Sequence, residues 1–146
     1  MPLTTAFANS VAQLIFWNTN IANTGDATGL RGASTVGNLW IALYTASPGL
    51  AGTATTNEVT YTGYARIQLP RSNSAWVISG NVVSPISDQS FPANSGGTTQ
   101  TATHFGIVNT ASGAGILLIS GTLSPSQVIA PLAIPRIKAA STLTIN

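Results

Sequence analysis

One histidine and three carboxylates, His104, Asp26, Glu58 and Asp88, are all that this 146-residue chain offers for proton transfer near neutral pH. A general base needs an orienting partner within hydrogen-bond reach. His104 lies in a strand-like run, THFGIVN, with no acid near it in sequence. A Ser-His-Asp set with Asp26 or Asp88 can be drawn. No Gly-x-Ser-x-Gly elbow accompanies it, and serine is too common here for one residue to stand out. Paired carboxylates for glycosidic cleavage would have to come from the same three acids, which are dispersed over loop-like segments. Cysteine is absent, which excludes a thiol nucleophile, a disulfide framework and Cys-based zinc or iron–sulfur sites. Gly113-Ala114-Gly115 resembles a fragment of a phosphate-cradling loop, but neither full glycine pattern is present, and the segment reads as a hairpin turn. The expectation is a chain that is not an enzyme, with no catalytic residue, no cofactor and no metal.

The five strong bases, Arg31, Arg66, Arg71, Arg136 and Lys138, are scattered and make no electrostatic footprint for nucleic acid. Arg66 beside Tyr64 and Arg71 near Trp76 are the only local pairings of a base with an aromatic ring, too few for a stacking groove. Core and interface packing is the expected role of most aromatics. Charged residues make up 5% of the chain, against about 25% in an ordinary soluble domain. Ser, Thr, Asn and Gly must therefore cover the surface. Such a surface is cheap to desolvate, and interface cores are likewise poor in charge. This points to a protein packed against copies of itself or against a larger body.

A chain of this length fits one folding domain and needs no metal or disulfide to hold a core. Residues 3–17 are largely apolar, but no Lys or Arg precedes them and no clean cleavage site follows, so a helix is expected rather than a signal peptide. The stretch is too short to span a bilayer, and no membrane partner is expected. The helix is placed at 5–17. Phe7, Val11, Leu14 and Ile15 share one face, with Ala8, Ala12 and Phe16 widening it. Thr4 or Thr5 caps its start, and the polar run from Asn18 to Gly25 ends it. A Gly-rich connection follows over 23–37. From residue 38 onward, short Val-, Ile-, Tyr- and Thr-rich runs alternate with turn clusters, the pattern of an all-β protein. Strands are placed at 38–45, 64–69, 75–79, 82–86, 103–109, 115–123 and 134–145. Gly80-Asn81 forms a two-residue hairpin turn and 111–114 forms another. The fold expected is a jelly-roll-like β-sandwich with one N-terminal α-helix. Residues 1–37 form the helix and arm, and residues 38–146 form the sandwich.

Within residues 38–67, Leu39–Thr45, Pro48-Gly49, Glu58-Val59 and Gly63-Tyr64-Ala65-Arg66 follow one another in a characteristic order. Phe91-Pro92, Thr103–Ile107, the glycine-rich hairpin and apolar strand over 113–123, and Leu143–Ile145 complete the set. The chain thereby resembles a family of small tailed-bacteriophage virion proteins, the capsid-decorating and tail-fibre-like proteins. Two departures are Asn109, where the family often has Asp, and Gln100-Thr101-Ala102, where it often has Trp-Gly. Glu58 and Arg66, eight residues apart across a turn, are expected to pair between adjacent strands.

The resemblance implies a structural virion protein. The first expectation is a capsid decoration or cement protein on the outer capsid surface. It would act as a homo-oligomer, a trimer, bound to the major capsid protein. Short length, lack of a fibrous repeat and an uncharged polar surface favour it over the alternative, a tail fibre or tail-associated receptor-binding protein. The helix and the arm are the expected contact elements, with Phe7, Val11, Phe16, Trp17, Leu30 and Arg31 as candidate interface residues.

Overall fold

The computed structural model describes residues 2–146. These form one helix and nine strands, α1 (Thr5–Trp17), β1 (Asn38–Tyr44), β2 (Ile67–Pro70), β3 (Trp76–Ser79), β4 (Val82–Pro85), β5 (Gln89–Ser90), β6 (Gln100–Val108), β7 (Leu117–Ile129), β8 (Arg136–Ile137) and β9 (Leu143–Thr144). The strands make a four-stranded sheet in the order β2-β1-β6-β7, a three-stranded sheet β3-β4-β9 and a two-stranded sheet β5-β8. The β-rich class with one N-terminal helix is thus as expected. Two compact units divide the chain. A helical unit holds the segment through Asn38, Pro70–Asp88 and Lys138–Asn146, and a sheet unit holds Leu39–Leu69 and Gln89–Ile137.

In the helical unit, α1 begins where Thr4 stands in extended conformation and its hydroxyl accepts from the Phe7 amide. It ends at Asn18, whose φ of 58° is left-handed. The buried stripe is Ala8, Ala12 and Phe16. This corrects the expected orientation by about one residue, because Phe7 stays outside while the two alanines let the helix approach closely. Phe16 then meets Trp76 edge-to-face at 4.9 Å between ring centroids, a contact of the favoured aromatic geometry. Trp76 is itself buried on β3, which pairs with β4 through the two-residue loop Gly80-Asn81, Gly80 supplying a φ of 62°.

No basic residue lies in the last turn of α1. Arg71 supplies that charge from a distance, donating from Nε to the Ile15 carbonyl at 2.7 Å and from Nη2 to the Leu14 carbonyl at 2.6 Å. These carbonyls have no partner inside the helix, and a cation at this end also opposes the helix dipole.

In the sheet unit, β1 runs antiparallel to β6 with Tyr44 opposite His104 and Ala42 opposite Gly106. A cluster of Ala42, Tyr44, Ala54 and Val108 is fully buried, with Trp40 and Leu117 against it. Gly106 is closely approached there: a Cβ would lie 2.6 Å from Leu117 Cδ1 and 2.9 Å from Tyr44 Cε2, so at least one of these side chains would have to shift. The β6–β7 ladder shifts register between Ala102 and His104, so Leu123–Ser126 bulge out and Pro125 removes no ladder bond. The strand expected at 134–145 is broken in two. β8 pairs with β5, whereas β9 pairs with β4, and a turn closed by Ser141 N donating to Lys138 O separates them.

Replacing Arg71 by Ala should lower stability by about 2 kcal/mol, the usual worth of hydrogen bonds from a charged donor. Urea unfolding followed by far-UV circular dichroism measures it, and an unchanged midpoint would contradict the capping role.

Candidate functional site

Glu58, Tyr64 and Arg66 come together in the sheet unit. Glu58 lies in an isolated bridge with Tyr44, and Val59 N donates to Leu43 O, so the returning loop lies along the end of β1. A turn follows in which Tyr64 N donates to Tyr61 O, with Gly63 at φ 94°. That reversal brings Tyr64 and Arg66 back to Glu58. The expected pairing of Glu58 with Arg66 is therefore present, but neither residue sits in a strand of the sheet.

The pair is bidentate. Arg66 Nε reaches Glu58 Oε1 and Nη2 reaches Oε2, both at 2.7 Å. Nη1 donates to the carbonyl and hydroxyl oxygens of Thr110 at 3.0 and 2.9 Å. Nη2 also donates to Gly113 O at 3.0 Å and Ala54 O at 3.3 Å. Guanidinium carries five N–H donors, and all find acceptors here. The Tyr64 hydroxyl donates to Glu58 Oε1 at 2.9 Å and accepts from Leu43 N at 3.1 Å. The Tyr44 hydroxyl donates to Ala54 O. The side chains of Arg66 and Glu58 are 2% and 12% exposed. A buried ion pair survives only when its hydrogen bonds are complete, and this one meets that condition.

The bond to Glu58 raises the pKa of Arg66 above its ordinary value, against the opposing effect of burial. Burial raises the Tyr44 and Tyr61 phenols to about 12. It raises Tyr64 further, with the Glu58 charge adding to the effect. A cavity of about 350 Å³ opens beside the pair, between residues 58–66 and the 111–113 turn. Glu58 is the one carboxylate in its lining, and Arg66 already engages both of its oxygens. The arrangement braces two loops against β1.

The remaining titratable groups lie elsewhere. The Thr103 hydroxyl donates to Thr45 O, which makes His104 Nδ1 the donor in its 2.8 Å bond to that hydroxyl. Asp26 Oδ1 accepts from Thr28 N, Thr28 Oγ1 and Gly29 N in the arm, and these bonds, chiefly that of the Thr28 hydroxyl, lower its pKa. Asp88 holds Lys138 Nζ at 3.0 Å and accepts from Ala139 N. Among the described residues no group of three or more His, Asp or Glu could hold a metal ion, and no helix is long and apolar enough to cross a membrane. Gly113 lies in the β6–β7 connection, and its carbonyl serves Arg66.

The candidate interface residues are dispersed. Phe7 is 38% exposed, Val11 is half-buried, and Leu30 and Arg31 are exposed, Leu30 bridging Ile21. Phe16 is fully buried, with its ring against Trp76 in the same unit. Trp17 is half-buried and donates from Nε1 to Trp76 O. The roles of Tyr64, Thr110, Ala54 and Gly113 around Arg66 were missed in sequence. The Gly63-Tyr64-Ala65-Arg66 run was their one visible signal.

A β-rich chain whose charges serve internal braces fits a structural protein of a tailed-phage virion, and comparison with known proteins agrees. Residues 8–145 match the model of a family described as podophage GP4 fiber I protein gp80, and the chain belongs to that family. No curated protein matches it.

Replacing Glu58 by Gln should cost about 3–5 kcal/mol, since it leaves a buried cation without its counter-charge. A drop in melting temperature reports it, and an unchanged transition would contradict the brace. Native tyrosine absorbance at 295 nm should show little phenolate at about pH 11, where the unfolded chain is largely ionised. Raised folded pKa values give stability that is full below pH 10.0 and is lost as pH rises past it. Ionisation near pH 10 in the folded protein would show the phenols to be solvated.

Proposed function

We propose that the chain is a non-catalytic structural subunit of a phage fibre, working in many copies packed against one another, closed symmetry being the usual arrangement of such copies. The single observation that carries the reading is the family match over residues 8–145, whose description names a fibre protein. The site geometry supports it. The more enclosed of the two ion pairs seen among the described residues ties loops to a sheet, and its carboxylate faces its own arginine, which suits a rigid building block. A jelly-roll-like fold belongs to the same proposal, and the antiparallel pairing of the strands is the observation that supports it.

The second reading is a capsid decoration protein bound to the major capsid protein. The absence of a fibrous repeat in these residues and their scarcity of charge favour it. The family description favours the fibre. Immunogold labelling of intact particles with an antibody to this chain separates the two. Label confined to fibres is the expected result. Label spread over the whole capsid would replace the fibre by the cement role, and unlabelled particles that lack the chain would overturn both.

A further inference from the structure

We infer that the outer edge of β7 is a pairing surface for β7 of a second copy of this chain, the two strands running antiparallel about a two-fold axis near Ser120. The inference rests on the multi-copy reading above and names the surface through which copies join.

β7 is the longest strand and ends the order β2-β1-β6-β7, so only β6 pairs with it. Among the described residues no strand covers its other edge. That edge carries backbone N–H and C=O groups that another β-strand can satisfy. Natural edge strands avoid such pairing chiefly with charged side chains, prolines and bulges. Here the devices are confined to particular places. Pro125 and the Leu123–Ser126 bulge protect the C-terminal half, and a smaller irregularity opposite Val108 precedes Ile119. From Ile119 to Thr122 the ladder is regular, with neither proline nor charge.

The charge pattern selects the occupant. Between Asp88 and Arg136 the chain has no Asp, Glu, Lys or Arg. A charged partner strand would lose ionic hydration at this edge with no counter-charge to meet, whereas an identical edge loses none. Exposure along the strand fits a surface awaiting cover. Leu118, Ser120 and Thr122 are exposed, Leu118 by 39%, while Leu117, Ile119 and Gly121 are only half-buried. Ser120 is the midpoint of the stretch from Leu117 to the bulge at Leu123. Antiparallel pairing about it sets Ser120 opposite its own copy, a self-complementary contact that closes as a two-fold.

Directly opposed residues in antiparallel strands have Cα atoms about 4.5–5.5 Å apart, within the range a disulfide bridges. The chain has no cysteine, so a single introduced thiol reports without background. Under mild oxidation the full-length Ser120→Cys chain should form a covalent dimer about tenfold more than Ser112→Cys, which sits in the exposed 111–114 turn. Ser120→Lys should reduce the sedimentation mass to that of one chain while native tyrosine absorbance stays unchanged, which shows that the fold is kept. Equal crosslinking at both positions, or an unchanged mass for Ser120→Lys, would overturn the pairing. So would a wild-type chain that stays single at every concentration. Fibre labelling on particles that persists alongside any of these results would leave the virion reading intact and remove β7 as the joint.

Discussion

A guanidinium taken out of water must have every N–H answered, and that demand at Arg66 arranges the loops of the sheet unit. Its hydrogen bonds go to Glu58, Ala54, Thr110 and Gly113, four points on two connections that have little regular structure of their own. The loop between β1 and β2 and the hairpin between β6 and β7 are thereby fixed by one side chain. Tyr64 extends the constraint to β1 through Leu43 N, and Tyr44 does so from beneath through Ala54 O. A well-packed apolar replacement can match a buried ion pair in stability. It could not reach four separate carbonyl and carboxylate groups in fixed directions. Geometry of the loops is what the pair contributes.

The economy of charge follows the same logic. Eight charged side chains serve the whole molecule, five basic and three acidic. Arg66 and Glu58 brace the loops, Arg71 caps the helix, Asp26 orders the arm, and Asp88 holds Lys138 beside the turn that leads to β9. Arg31 and Arg136 lie on the exposed surface. Outside these, Ser, Thr, Asn and apolar side chains face outward. A monomer at high concentration gains solubility from mixed surface charge, whereas subunits of a virion gain from surfaces that shed water easily. Membership in a phage fibre protein family makes this chain a phage structural protein.

Sequence periodicity located α1 to the residue, because a capping threonine and an asparagine stop bracket an apolar run. It misjudged which stripe faces inward. The polar side of this uncharged helix, Thr5, Asn9, Ser10 and Gln13, leaves apolar residues on two adjacent faces, and it is Phe16 that meets the ring of Trp76. Strands with clear alternation, such as β1 and the β3–β4 hairpin, were legible for the same local reason. The 134–145 segment was not, since its two short strands answer to different partners, and nothing local distinguishes them. At the site, Glu58 and Arg66 stood out through the scarcity of charge. Their neutral partners are backbone carbonyls and a threonine forty-four residues away, which no spacing rule reveals. Arg71 capped a helix more than fifty residues upstream, equally invisible to pattern.

Amide hydrogen exchange on a chain carrying Glu58→Leu together with Arg66→Met tests most directly whether the ion pair positions the loops. The brace predicts that residues 109–116 lose protection while the β1–β6 ladder keeps it. Unchanged protection across 109–116 would contradict the account and leave the hairpin ordered by its own turn.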